Sequence, residues 1–403
     1  MSHLLVFATL SLVVLGVLGL ERRLHARNRA RIPIVIHVNG TRGKSSVTRL
    51  IAAGLRAGGI TTWAKVTGTL PRLIDATGED VPIVRHAPSS ISEQRALVAA
   101  ASAAGVEALV VECMALRPEY QRVAEDGLVR ASIGVITNVR PDHVEVFGTD
   151  ARSMLKAFFS TIPRGKVLFT SEQRLAEPLR LEAGRRGARF VLASPETVRD
   201  ASMARFGYHE HKDNVALALA VCSHVGVDPQ VAVRGMFTCQ PDAGALTSIA
   251  LRRGDKELVL INAMAANDPQ STYQLYRELV EVDASASQRL VLANARRDRP
   301  GRTQQLAALL PRLAADQVFA VGDGASELRE MAIKRGVPAA RIATHFGSVQ
   351  ELVADLFAFI DANAVLFAMG NTAGPGLALL DYFETHAHAP GQLDLAVPLE
   401  VAA

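Results

Sequence analysis

The run Asn39-Gly40-Thr41-Arg42-Gly43-Lys44-Ser45-Ser46 collects residue types that suit phosphate chemistry. Its glycines let backbone N–H groups approach an anion, Lys44 adds a point charge, and the Ser45 hydroxyl can ligate a divalent cation. The β-branched stretch Ile34-Val35-Ile36, continuing to Val38, precedes it and predicts a buried strand. Beyond it, Val47, Leu50, Ile51 and Leu55 recur at helical spacing. Strand, glycine-bearing loop and helix together form a phosphate cradle. The strict nucleotide pattern has a glycine where Val38 stands, so this loop is a shorter variant.

Other polar groups fall where predicted strands stop. Ala108-Leu109-Val110-Val111 reads as a parallel-type strand and delivers Glu112, followed by Cys113-Met114-Ala115. A carboxylate on that edge of an α/β sheet can hold Mg²⁺ against phosphates, or simply pair with a nearby arginine. The next strand, Ala131 to Val139, runs out through Asn138 into Arg140-Pro141-Asp142-His143. Further on, Asp213 or Asn214 suits the cap of an alanine-rich helix, and Pro178 suits the first position of another. Trp63, the only tryptophan, reads as a core filler, and Lys65 to Thr69 as a polar loop that could cover phosphates.

With 403 residues the chain is long enough for two domains with their own cores. Aromatics make up 5% and hydrophobic residues 49%, which suits an Ala/Leu/Val-rich α/β protein. The net charge of +4 is concentrated at Arg22, Arg23, Arg27, Arg29 and Arg31, and no aromatic-interleaved basic patch points to nucleic acid. Cys113, Cys222 and Cys239 have neither metal-ligand spacing nor an even count, which reads as a reduced compartment. Leu4 to Leu20 is uncharged and mostly apolar, close to the shortest membrane-spanning helix of about 17 residues. A cleaved signal peptide would carry positive charge ahead of that run, where only His3 stands. The arginines follow instead, so the expectation is a single N-terminal anchor with the body of the chain in the cytoplasm.

The expected organisation is an anchor and basic flank over 1–30, a phosphate-loop α/β domain over 31–240, and a second, Rossmann-like α/β domain over 241–403. A linker is expected between Thr238 and Thr247. The second domain is read from apolar runs at 257–261, 289–293, 317–321 and 364–368, with helical stretches between them. Its strand ends carry Asn267-Asp268, then Asn294 with Arg296, Asp298, Arg299 and Arg302, then Asn371. Several guanidiniums at one strand end suit carboxylates or phosphates, because each presents a planar fork to the anion.

The loop at 40–45, Val-Val-Glu at 110–112 and Thr-Asn…Asp-His at 137–143 resemble the ATPase domain of the Mur ligases and folylpolyglutamate synthases. The resemblance implies that residues Asn39 to Ser46 hold ATP and that Lys44 contacts its β- and γ-phosphates. It further implies that Ser45 and Glu112 hold one Mg²⁺ and His143 a second, and that Asn214 touches the adenine. Relatives carry a carbamylated lysine at the position of Phe158, which leaves that second site short of a ligand; Lys156 should point elsewhere on its helix.

With the anchor, Val111 to Ala115, Ala265-Ala266-Asn267-Asp268 and the Asn294 to Gln305 run added, the whole chain resembles the ligase subunits of poly-γ-glutamate synthases. That implies a catalytic set of Lys44, Glu112, His143, Arg296, Arg299 and Arg302, with Asn267 among the nucleotide contacts. It implies an ADP-forming ligase that polymerises glutamate onto a growing poly-γ-glutamate chain, working with membrane-bound synthase or export subunits and possible homo-oligomers. Ser89-Ser90-Ile91-Ser92 departs from an expected Gly-Pro-Asn-like segment ahead of Glu93-Gln94. The rival readings are a folylpolyglutamate-type ligase and a membrane-tethered ATPase or scaffold that makes no amide.

Overall fold

The computed structural model describes residues 2–67, 71–83, 90–140, 151–206, 208, 210–241, 247–264, 266, 269–281 and 287–387. Asp142, His143, the linker residues 242–246, Asn267 and Asp268 lie outside the described residues. The chain separates into two compact units, Met1–Asp242 and Ala243–Ala403. Both are α/β, as the apolar runs separated by helical periods require.

The first unit opens with helix α1 (Ser2–Ala30), followed by β1 (Ile34–Asn39) and α2 (Lys44–Ala57). Then come β2 (Thr62–Val66), β3 (Arg72–Ile74), β4 (Asp80–Pro82), α3 (Glu93–Ala103) and β5 (Ala108–Glu112). A short helix, α4 (Pro118–Val123), widens into a π-helical turn over Ala124–Val129 before β6 (Ile133–Ile136). Beyond the segment outside the described residues lie α5 (Ala151–Phe158), β7 (Val167–Thr170), α6 (Ala176–Arg185) and β8 (Arg189–Leu192). Two helices close the unit, α7 (Lys212–Val225) and α8 (Pro229–Phe237). Strand order is β4-β3-β2-β5-β1-β6-β7-β8, with β3 and β4 antiparallel at one edge. β1 lies between β5 and β6 and is parallel to both, so the loop after β1 emerges between two other strand ends.

Alternation along β1 divides its side chains between two cores. Ile36 and Val38 pack under α2, α7 and α8, whereas Val35 packs under α3 with Leu97 and Val98. His37 shares the Val35 face and is buried against the π-turn, with Nδ1 2.7 Å from Glu125 Oε2. Burial opposes the imidazolium, but Cys113 and the Glu125 carboxylate outweigh it and raise the His37 pKa to about 10. The folded value therefore exceeds the ordinary histidine value of about 6.5. The stabilisation is complete below about pH 6.5 and is lost as pH rises through about 10. Denaturant midpoints of the detergent-solubilised chain should accordingly fall between pH 7 and 10, and Glu125→Gln should flatten that slope.

Several local expectations differ in the structure. The strand expected over 131–139 spans only Ile133–Ile136, and beyond it Thr137 and Asn138 turn their side chains to the loop after β1. Helix α6 starts two residues before Pro178, which occupies its third position rather than its first. The cap residue of α7 is His211, in extended backbone; Asp213 and Asn214 lie inside its first turn. Trp63 is half-buried against the α3 core, as a filler would be.

The second unit holds β9 (Thr247–Arg253), β10 (Lys256–Asn262), α9 (Pro269–Tyr276) and β11 (Gln288–Asn294). It continues with α10 (Pro300–Leu313), β12 (Gln317–Val321), α11 (Ala325–Lys334) and β13 (Ile342–Thr344). It ends with α12 (Val349–Phe359), β14 (Asn363–Gly370) and α13 (Pro375–His386). The order β13-β12-β11-β14-β10-β9 is parallel except for β9, which forms an antiparallel edge with β10. Buried apolar clusters cover both faces, with Val291, Phe367 and Leu306 in one and Leu292, Leu366 and Leu356 in the other.

Candidate active site

Gly40 and Gly43 set the shape of the loop after β1. Gly40 has φ of 129°, and a Cβ there would stand 2.1 Å from Thr137 Oγ1. Gly43 has φ of 75°, and its Cβ would meet Asn214 Oδ1 at 2.7 Å. Only glycine supplies both the left-handed backbone and the close approach. Two residues past β6, Asn138 clamps the loop: its carbonyl accepts from Thr41 N at 2.9 Å and its Oδ1 from Arg42 N at 3.1 Å. Thr137 Oγ1 and Asn138 Nδ2 donate to Arg42 O, and Arg140 N donates to Thr41 Oγ1 at 2.9 Å.

Within this frame Lys44 folds back over its own loop, Nζ donating to Gly40 O at 2.9 Å and Thr41 O at 3.2 Å. An ammonium has three donors, so one N–H remains for a ligand oxygen. Ser45 Oγ donates to Glu112 Oε2 at 2.9 Å, and the same carboxylate oxygen accepts Thr67 N at 2.7 Å. Glu112 is buried at the end of β5, beside β1. Hydroxyl, carboxylate and ammonium thus converge at the start of α2, where helix and loop N–H groups also favour an anion. A hydroxyl and a carboxylate in contact form a hard oxygen donor set that fits Mg²⁺. Among the described residues no group of three or more His, Cys, Asp or Glu is assembled for a metal.

Other residues singled out from the sequence take different places. The Asn39 side chain turns inward, Nδ2 donating to Gln121 Oε1 at 2.9 Å and Thr161 Oγ1 at 3.2 Å, while Oδ1 accepts Gly40 N. It braces the loop from beneath. Asn214 is buried, donates to Glu210 Oε1 at 2.8 Å and lies against Gly43. Ser46 is half-buried in the first turn of α2. Lys65 is buried and paired with Glu93 at 2.9 Å, while Gly68 and Thr69 lie outside the described residues. Phe158 is buried with Met154 and Leu155, and with Met154 it lines a small cavity beside Lys44; Lys156 is exposed.

In the second unit, a cavity of about 520 Å³ opens at the C-terminal ends of β11, β12 and β14. Asn294, Arg296, Asp323, His345 and Gly374 are among its lining residues. Arg296 forks onto Asp298 with contacts of 2.9 and 2.6 Å. Arg302 Nη2 donates to Ala266 O at 2.6 Å, and Arg299 is exposed at the residue before α10. Of the three arginines, only Arg296 lines the cavity. Asn294, on the parallel strand paired with β14, is fully buried and ties the two strand ends together through Asn371 O and Ala373 O.

Sequence reasoning did not assign roles to Thr137, Asn138 and Gln121 in building the loop. The signal available was a Thr-Asn pair at a strand end. Its importance depends on β6 being the neighbour of β1, which strand order in the sequence does not disclose.

The model of the Mur ligase middle domain matches residues 38–249, and that of the poly-gamma-glutamate synthase CapB C-terminal domain matches residues 249–386. A capsule biosynthesis protein CapB of Bacillus anthracis is 32% identical over 385 residues, covering 94% of this chain and 82% of that protein. A PGA synthase CapB of Bacillus subtilis (strain 168) is 32% identical over 382 residues, covering 94% of this chain and 96% of that protein. Among solved structures, E. coli FolC in complex with DHPP and ADP aligns with a TM-score of 0.65 at 16% identity, covering 91% of this chain and 92% of that one. A Mycobacterium tuberculosis folylpolyglutamate synthase complexed with ADP and AMPPCP aligns with a TM-score of 0.64 at 19% identity, covering 90% and 93%. At these identities the solved structures establish the fold.

Proposed function

The chain belongs to the Mur ligase superfamily, in its poly-γ-glutamate synthase CapB branch, and from that premise we propose that it is an ADP-forming amide ligase extending poly-γ-glutamate. The observation that carries this reading is the convergence of Lys44, Ser45 and Glu112 at one βα junction. In the reaction, a γ-carboxylate oxygen attacks the γ-phosphorus of ATP, forming an acyl-phosphate and releasing ADP. The α-amine of the next glutamate then attacks the acyl carbon, loses a proton and expels inorganic phosphate. A carboxylate is already an anion, so the barrier lies in bringing negative charges together, and charge neutralisation matters more than a strong base.

The loop N–H groups and Lys44 hold and neutralise the phosphates. Ser45 and Glu112 would hold Mg²⁺, which supplies further positive charge to the transferring phosphoryl group. His143 is assigned to a second cation and Asn267 to the nucleotide. Because Phe158 is apolar, any second cation site lacks the lysine-derived ligand of relatives. Asn214 would act by holding Gly43 and the loop shape. Arg296, in the cavity lining, is assigned to a glutamate carboxylate, with Arg299 and Arg302 assigned to the polymer's carboxylates.

Helix α1 is long and apolar enough to cross a membrane. We assign it as a single anchor with both units in the cytoplasm, on the arginines that follow it. An anionic polymer then needs a membrane export partner. The test is phosphate release from ATP and Mg²⁺ by membranes carrying the chain. Release that depends on glutamate supports the ligase. Release indifferent to amino acids would instead support a tethered ATPase.

A further inference from the structure

Helix α1 is docked to the first unit along its last three turns. Arg95 Nη1 donates to Glu21 Oε2 at 2.6 Å. His25 Nε2 lies 2.8 Å from Leu128 O, and Arg29 donates to Val129 O and Arg130 O, each at 2.8 Å. These contacts fix the direction of the helix. Arg95 is in the first turn of α3, whose leading residue Glu93 holds Lys65 near the C-terminal end of β2. Arg130 sits just ahead of β6, at the opposite edge of the sheet. From Glu21 to Arg29, then, α1 runs from the phosphate-loop edge to the far edge. Its apolar part, ending at Leu20 with no spacer before Glu21, projects past the phosphate-loop edge.

That same edge carries exposed apolar side chains. Leu116, Tyr120 and Val123 are 43%, 53% and 51% exposed, in the loop after β5 and along α4. Tyr120 and Val123 are three residues apart and share a helix face. Exposed Arg117 and Arg122 flank them. Single exposed apolar residues are ordinary, but the level of these three relative to α1 is not. Helix α4 and its π-turn run in the same sense as α1, since His25 meets Leu128 and Arg29 meets Val129 and Arg130. Tyr120 lies about 10–12 Å before Leu128, at a rise of about 1.5 Å per residue or slightly less in the π-turn. The same distance back from His25 along α1 reaches Val17 and Leu18, inside the apolar segment. A tyrosine at that depth sits where its ring can be apolar and its hydroxyl wet.

We propose that one corner of the first unit, the loop after β5 together with α4, rests on the bilayer, with Leu116, Tyr120 and Val123 seated in the lipid interface and Arg117 and Arg122 on lipid phosphates. This rests on the anchor reading of α1. The interface contact is continuous with the anchor, which Glu21, His25 and Arg29 tie to the unit. It also places ATP cleavage beside the membrane that the polymer must cross.

The test uses the full chain in phospholipid nanodiscs with brominated acyl chains, in a Trp63→Phe background that removes the only tryptophan. Single tryptophans are introduced by Leu12→Trp in the apolar part of α1, Tyr120→Trp in α4, and Arg164→Trp in the exposed loop ahead of β7 at the far edge. Retained glutamate-dependent phosphate release reports that each variant is folded. Bromine should quench the first two at least twofold and leave the third unchanged. Strong quenching from Leu12→Trp with equal quenching from Tyr120→Trp and Arg164→Trp would overturn the orientation while leaving the anchor intact. No quenching from Leu12→Trp would remove the anchor reading, and this proposal with it.

Discussion

Lys44→Ala is expected to cut glutamate-dependent phosphate release by at least about a hundredfold, in the range found for removing one preorganised donor from a developing charge. The fold should survive. Lys44 is the first residue of α2 and its stem is not part of the α2 core, which is built from Val47, Leu50, Ile51 and Leu55. Its ammonium contacts only carbonyls of its own loop among the bonds described, Gly40 O and Thr41 O. Those carbonyls face a part-buried, solvent-reachable site, so water can replace the lost donors. The measurement is a phosphate-release time course beside a denaturant melt of the same preparation. Full turnover in the variant would remove the phosphate site from this loop.

Glu112→Gln should give the second large effect, a loss of about 10- to 100-fold that excess divalent cation partly restores. The amide keeps the shape of the side chain and one acceptor oxygen for Thr67 N and Ser45 Oγ, which Glu112 now serves at 2.7 and 2.9 Å. What it loses is the charge that a hard cation requires. The expected signature is a raised half-saturating Mg²⁺ concentration with little change in stability. An unchanged metal dependence, with activity lost, would show that Glu112 only braces Ser45 and the Thr67 loop.

The phosphate loop was legible because its chemistry is local. Strand, glycines, Lys44 and helix occupy one continuous stretch, and each element obeys its own periodicity. Glu112 was legible for a similar reason, as an acid at the end of a buried run. The bracing of the site was not. Asn39 reads as a ligand-facing residue after a strand, but it is drawn inward by Gln121 and Thr161, which are distant in sequence. Asn214 reads as a cap, yet His211 takes that position and Asn214 meets Gly43 instead. The buried His37 and Glu125 pair depends on a π-turn crossing β1, and no sequence period announces such a crossing.

In the second unit the four central strands stood out as apolar runs. Strand β9 did not, because an edge strand half exposed along Ser248, Arg252 and Arg253 has weak apolar patterning. The turn at Gly254, with φ of 59°, was its one local sign. The arginine cluster was visible, but its division was not. Arg296 lines the cavity, whereas Arg302 is tied to a backbone carbonyl.

Acyl-phosphate chemistry leaves an isotopic trace that simple ATP hydrolysis does not. Membranes carrying the chain should be given ATP, Mg²⁺ and glutamate labelled with ¹⁸O in its γ-carboxylate, as D- and L-isomers in turn. The oxygen that attacks phosphorus departs with the phosphate, so the expected result is one ¹⁸O in each phosphate released, matched by a γ-glutamyl amide in the product. Phosphate carrying no label, released at the same rate without glutamate, would contradict the ligase assignment.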